Sequence, residues 1–394
     1  MKKITSLALA VCLGLSLSAQ EKKAAEGYKF TDLKRMPTTY VKSQDRTSTC
    51  WCWSGLSFLE SEIMRMGKDS VSLSPMFVVW NTYDGKADKY VRLHGDLPFA
   101  PGGAFCDVQW AIQNYGIVPM DLYLGKQYGE ENHVHGELHA ILNGYVQAVV
   151  KNANRKISPV WKKGYDAVLD TYLGKKPEKF TYKGKEYTPQ SFAKELGLDM
   201  DNYVHLTSFS HHPFYTQFAI EVPDNWLSGL AYNLPLDVFM DVLDKAIDKG
   251  YTFAWASDIS EKGFAGDFAV VPTVDTKEMS GSDMARWLKL SQRQQEAELY
   301  RFDKPGKEKV ITQEMRQEEF DNYKTTDDHG MHIVGKAVDQ TGNPYFIVKN
   351  SWGPRGKYNG FFYASYPFVA LKTTSVMIHK DALPKDVKKK LGIN

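Results

Sequence analysis

The sequence predicts an α+β protein in which helices come first and strands last. Apolar residues recur at three- and four-residue spacing after Cys50, short strand-like runs separated by turns fill the C-terminal third, and a stretch rich in Lys, Glu, Tyr and Gly lies between. The 394 residues suit two modest domains or one domain with a large insertion, and 43% apolar content is ample for a packed core. A net charge of +2 on nearly balanced acids and bases argues against a nucleic-acid partner. Beyond the first twenty residues no apolar run is long enough for a membrane span.

Taken in order, residues 1–20 read as a secretory signal. Lys2 and Lys3 precede an apolar run over 4–17, and Ser18-Ala19-Gln20 offers a cleavage site before Glu21. Bulky Val11 ahead of Cys12 speaks against a lipidated cysteine. The expected destination is the periplasm or the extracellular space. Residues 21–124 form a helical lobe: a first helix starts at Cys50, with Trp53, Leu56, Leu59 and Ile63 on one face and Gly67 as its stop. Ser74-Pro75 caps and opens a second helix, and a third covers about 107–115. Residues 125–205 read as an inserted, mainly helical subdomain with helices near 139–152 and 161–173 and a turn at Lys183-Gly184. Residues 206–380 read as a β-rich lobe. There a helix runs from Leu236 to Gly250, a buried strand covers 251–256, a polar excursion covers 262–309, and strands cover 333–338, 345–348 and 360–365. Gly342-Asn343 marks the first turn between those strands. Residues 381–394 form a tail with a short helix over 383–391.

After the signal Cys50, Cys52 and Cys106 remain, an odd number without framework spacing, so stability must come from the core. Cys50 is the one placed for chemistry. A thiol is only a few per cent ionised at neutral pH, and a helix N-terminus or an imidazolium lowers its pKa. His332, at the head of an apolar strand, is the expected base. Asn350 would orient the imidazole and Trp352 would shield that bond. Gln44, six residues before Cys50, would set its amide beside the Cys50 backbone N–H to hold an oxyanion. His329 is the rival base, but acids and a glycine flank it rather than strand formers, which favours His332. Cys52 and Cys106 read as packing. His133, His135 and His139 read as exposed histidines of a polar insertion, since no fourth ligand completes a metal pattern.

These residues resemble the papain superfamily, whose pattern is a glutamine six positions ahead of the cysteine in Cys-Trp-x-Phe-Ser, and later a histidine and Asn-Ser-Trp-Gly. Gln44, Cys50-Trp51, His332 and Asn350-Ser351-Trp352-Gly353 match, with Trp53 where Phe is usual. Gly102-Gly103 resembles the family's glycine wall, along which substrate backbone lies, and Gly116-Ile117-Val118-Pro119 and Tyr123 follow in family order. The resemblance implies a two-lobed fold with a helical left lobe and an antiparallel β-barrel-like right lobe. From Cys50 to His332 is roughly 280 residues, about twice the ~130–150 of papain-like enzymes.

That interval, with Arg316-Gln317-Glu318 and residues 320–328, looks like the bleomycin hydrolase and aminopeptidase C branch. The branch implies a cysteine aminopeptidase that cleaves peptides near the N-terminus through a thioester, as a closed oligomer, typically a hexamer, without metal or organic cofactor. It also implies a C-terminal arm whose carboxylate anchors the substrate's free amino group in the cleft. A helix rises only ~1.5 Å per residue, so the helical tail here is short for such an arm. A papain-like endopeptidase with an open cleft is therefore the alternative, and a catalytically silent binding or scaffold protein is a third reading.

Overall fold

The computed structural model describes residues 27–274, 277 and 279–393, so the export signal read in residues 1–20 lies outside the described residues. After β1 (Phe30–Arg35), helices build one lobe. α1 (Cys50–Arg65) begins at the cysteine and stops ahead of Gly67, whose φ of 77° lies in the left-handed region that glycine enters freely. α2 (Pro75–Arg92) carries proline in its first turn, and Ser74 Oγ accepts from the Phe77 N–H at 3.2 Å. α3 (Phe105–Tyr115) follows.

The inserted segment contributes α4 (Gly136–Val150), α5 (Trp161–Leu173), the hairpin of β2 (Phe180–Tyr182) with β3 (Lys185–Tyr187), and α6 (Pro189–Glu195). It shares one core with the first three helices: Leu138, Leu142 and Leu169 are buried in the same cluster as Leu56, Phe58 and Val78. Burial of each such side chain contributes roughly 1.5–3 kcal/mol, which holds the insertion firmly on the lobe.

A mixed sheet forms the second lobe. Its strands are β1 together with β4 (Tyr203–Thr207), β5 (Gln217–Ala219), β6 (Leu230–Asn233), β7 (Phe253–Ser257), β8 (Phe268–Ala269), β9 (His329–Asp339), β10 (Pro344–Lys349), β11 (Phe361–Ser365) and β12 (Thr373–His379). Their order is β5-β6-β4-β12-β7-β9-β10-β11-β8, with β1 also paired to β9. Pairing is antiparallel except between β4 and β6 and between β8 and β11, so the lobe is mixed where a purely antiparallel one was expected. β9 turns into β10 through Gly342, at φ 89°.

One face of the sheet is covered by α7 (Leu236–Asp248) and by two later helices. The polar excursion carries short α8 (Gly281–Lys289) and α9 (Gln292–Leu299), capped by Ser280 and Ser291. α10 (Gln313–Asp321) precedes β9, and α11 (Tyr366–Lys372) and α12 (Lys385–Leu391) complete the covering layer. Phe239, Leu243, Phe346, Phe368, Val387 and Leu391 share that core. α1 packs on β9 from the opposite side. A Cβ at Gly330 would lie 3.0 Å from the Trp51 Cα and 2.8 Å from Ser54 Oγ, so glycine permits this approach. Among the described residues no helix is long and apolar enough to cross a membrane.

Candidate active site

Where the lobes meet, one cavity is lined by both Cys50 and His329. Cys50 reaches it from the first residue of α1, where unpaired backbone N–H groups and the positive end of the helix dipole lie. His329 reaches it from the first residue of β9. His329 Nε2 is 2.8 Å from Asn350 Oδ1, which leaves Nδ1 as the ring nitrogen available to the thiol. Trp352 stacks on the imidazole, with ring centroids 4.9 Å apart and planes 28° from parallel. Trp352 was expected to shield the imidazole–asparagine bond and also to touch substrate; it covers the His329–Asn350 pair and is absent from the cavity lining.

Enclosure pushes the Cys50 thiol up to about 12, opposed by the Gly330 backbone and reinforced by the charges of Asp327 and Asp224. Burial likewise lowers His329, opposed by its bond to Asn350 and by Asp328. Burial thus opposes charge on both groups in this cavity. The helix N-terminus stabilises the thiolate as the proton moves.

His332, the expected base, is displaced from this role. It is fully buried, its Nδ1 lies 3.0 Å from Ser57 Oγ, and its ring meets Phe58 edge-on at 6.0 Å. Ser57 Oγ also accepts from Lys349 Nζ at 2.9 Å, and Lys349 donates to Thr39 Oγ1 at 3.1 Å. Thr39 in turn donates to Glu60, which pairs with Lys42 at 2.5 Å. His332 thus belongs to a polar network that ties α1 to β9 and β10. The reason is strand parity: successive side chains alternate faces, so residues three apart project oppositely.

Gln44 is held by two bonds to Ser351. Its N–H donates to the Ser351 carbonyl at 2.8 Å, and the Ser351 hydroxyl donates to Gln44 Oε1 at 2.7 Å. With the amide oxygen engaged, the NH2 end is the part left to serve as a donor. Ser43 also bridges to Trp352, so the strand ahead of α1 is laced to the Asn-Ser-Trp-Gly loop.

The glycine pair is built in from behind. Lys86 Nζ donates to the carbonyls of Ala100 at 2.8 Å and Gly102 at 2.5 Å. Asp107 accepts from Trp226 Nε1 at 2.6 Å, and burial raises its pKa to about 7 against the pull of Lys86. A side chain at Gly103 would collide with the Asp107 carboxylate, and one at Gly102 with that of Asp224. Gly103 lines the cavity, joined by Asp224 and Asp327. Asp327 accepts from Thr374 Oγ1 at 2.7 Å, and burial raises it to about 6. Asp328 caps a turn by accepting from the Ile259 and Ser260 N–H groups at 2.9 and 3.2 Å.

Sequence reasoning did not find Lys86, Asp107, Asp224 or Asp327 as members of the site, because two helices and loops far apart in the chain supply them. The Asp327-Asp328 doublet beside His329 was the only local signal.

Cys52 is fully buried, with Sγ 3.3 Å from the Pro75 carbonyl. Cys106, read from the sequence as a packing group, lines the cavity, with Sγ 3.7 Å from Asn225 Oδ1. The expectation of exposed insertion histidines is corrected at two positions: His133 is 4% and His135 1% exposed. His133 meets Trp53 edge-on at 5.2 Å and His135 meets Tyr83 at 6.3 Å. Burial lowers them to about 4 and about 3, so both are neutral packing groups at ordinary pH.

A cysteine at a helix N-terminus, sharing an interlobe cavity with an asparagine-held histidine from a sheet, defines the papain-like class of cysteine peptidase. Residues 275–393 match the model of the Peptidase C1-like family. Aminopeptidase C of Lactobacillus delbrueckii subsp. lactis is 22% identical over 401 residues, covering 89% of this chain and 82% of the relative. Aminopeptidase C of Listeria innocua serovar 6a is 23% identical over 392 residues, covering 89% and 82%. A crystal structure of PepW from Lactobacillus rhamnosis HN001 (DR20) superposes with a TM-score of 0.66 at 21% identity, over 92% of this chain and 84% of that one, and is alike in fold. The chain is a cysteine peptidase, similar over residues 275–393 to the Peptidase C1-like family.

Proposed function

We propose that this peptidase is an aminopeptidase in which Cys50 is the nucleophile and His329 its base. The observation that carries the assignment of roles is the bond between His329 Nε2 and Asn350 Oδ1 at 2.8 Å, in a ring that shares its cavity with Cys50. Attack of Cys50 Sγ on the scissile carbonyl forms the C–S bond while the thiol proton passes to His329 Nδ1. The Cys50 N–H and the Gln44 NH2 hold the resulting oxyanion. Collapse breaks the C–N bond, and the leaving amine takes the proton from His329. The thioester is then hydrolysed by a water whose proton His329 accepts, and the thiol returns.

Restriction to the N-terminal residue requires an anion for the substrate's ammonium group. Among the described residues none after Ser375 lines the cavity, and the turn leading into α12 is tied to the end of α7, with Lys249 Nζ donating to the carbonyls of Ala382 and Leu383 at 3.0 and 3.2 Å. The anchoring charge in the cleft is that of Asp224 and Asp327, beside the glycine wall where the substrate backbone lies. The Lys2-Lys3 start, the apolar run that follows and Ala19 support export of the mature enzyme.

The test compares an amino-acid anilide with its N-acetylated form under reducing conditions. Strong preference for the free amine, abolished together with thiol alkylation in Cys50→Ala, is the expected result. Equal rates on both substrates would overturn the aminopeptidase reading, and full activity in Cys50→Ala would overturn the nucleophile.

A further inference from the structure

Away from the thiol, two adjacent histidines and a glutamate converge on one point. His211 Nε2 lies 3.0 Å from Glu221 Oε2, and His212 Nε2 lies 2.8 Å from Glu221 Oε1. The potential donor atoms of all three lie within 4.8 Å of one another. Both rings are held in place by neighbours. His212 stacks on Phe218, centroids 4.1 Å apart at 24°, and His211 stacks on Phe320 at 6.0 Å and 21°. The far nitrogen of His211 faces the Gln317 amide, with Nε2 of that amide at 3.0 Å and Oε1 at 3.3 Å. Gln317 Oε1 also accepts from the Ser210 N–H at 2.6 Å, and its Nε2 donates to Asp321 at 2.8 Å.

We infer that His211, His212 and Glu221 form a site for a Zn2+-class divalent cation that clamps the outer wall of the cleft. Two imidazole nitrogens and a carboxylate oxygen are a ligand set suited to zinc; magnesium and calcium prefer oxygen alone. The partial exposure of all three side chains leaves the fourth position open to water. Metal ligation through Nε2 requires the proton on Nδ1; that nitrogen faces the Gln317 NH2 at 3.0 Å, so loading would turn the amide to bring Oε1, at 3.3 Å, onto the Nδ1 proton. Glu221 lies between Ile220 and Val222, both of which line the Cys50 cavity, and Asp224 and Asn225 follow on the same segment. A cation on Glu221 would therefore fasten this cleft wall to the 211–212 turn and, through Gln317, to α10.

The test is calorimetric titration of the full chain with Zn2+ alone in a Cys50→Ala, Cys106→Ala background, where no cleft thiol can take the metal. One bound Zn2+ per chain is expected, and it should be lost in His212→Ala. Glu221→Gln serves as a second ligand variant should His212→Ala fail to fold. Co2+ bound at the same site should show ligand-field absorption without a thiolate charge-transfer band, and hydrogen exchange over residues 217–231 should slow on loading. No Zn2+ uptake, or uptake that survives both ligand variants unchanged, would overturn the inference.

Discussion

Asn350 Oδ1 and His329 Nε2 lie 2.8 Å apart beneath the indole of Trp352, while His332 points into the opposite side of the same strand and bonds Ser57. Two histidines three residues apart in β9 thus have different chemistry. One faces the cleft that holds the thiol; the other is enclosed between helix and sheet.

Replacing each histidine separates these roles. His329→Ala should lower kcat/KM on the order of 10²- to 10⁴-fold, the usual contribution of a positioned acid–base group, with little change in unfolding free energy. His332→Ala should leave the chemical step intact and lower stability by about 1–3 kcal/mol, because the buried partners in the Ser57–Lys349 network lose a bond. Steady-state kinetics and urea unfolding on both variants check this, and the reverse pattern would restore His332 as the base.

Gln44→Ala should reduce kcat roughly 10²- to 10³-fold with KM nearly unchanged, because an oxyanion donor acts on charge that exists only in the transition state. Ser351→Ala should produce a smaller drop in kcat by freeing the Gln44 amide to rotate. A change confined to KM in Gln44→Ala would argue for ground-state binding instead.

Asp327→Asn should cut kcat/KM on free-amine substrates by about 10- to 100-fold, corresponding to roughly 1.5–3 kcal/mol for a bond to a charged group, and leave any residual turnover of acetylated substrates unchanged. In the parent enzyme the ratio of the two rates should fall as pH drops through about 6, where Asp327 takes up its proton. That pH dependence should flatten in the variant. Parallel loss on both substrates would show that Asp327 acts on folding rather than recognition.

Lys349 supplies a stability signature. Burial holds its pKa at about 7, opposed by Glu60 and reinforced by Lys42, against an ordinary value of 10.5. Above pH 7 the unfolded chain therefore binds more protons at this position than the folded one, and stability rises with pH. From pH 7 to about 8.5 this group should add up to ~1.4 kcal/mol per pH unit. Lys349→Met should remove that slope, as measured by urea unfolding across the same range; an unchanged slope would place its origin elsewhere.

Much of the molecule was legible from local sequence, because the cues are short-range. The start of α1 at Cys50, the Ser74-Pro75 cap, the Gly67 and Gly342 turns and the Asn350–Trp352 loop each depend on neighbours a few residues away. The α+β class and the presence of a cysteine nucleophile follow from these together. The identity of the base did not follow. His329 has poor strand-forming neighbours for reasons visible only in three dimensions: Gly330 lets α1 approach β9, and Asp328 caps a turn of another segment. The strand's two-residue alternation and the side on which α1 packs decided which histidine meets the thiol. The same holds for the carboxylates of the cleft and for the His211–His212–Glu221 cluster, whose members come together only when distant segments fold against one another.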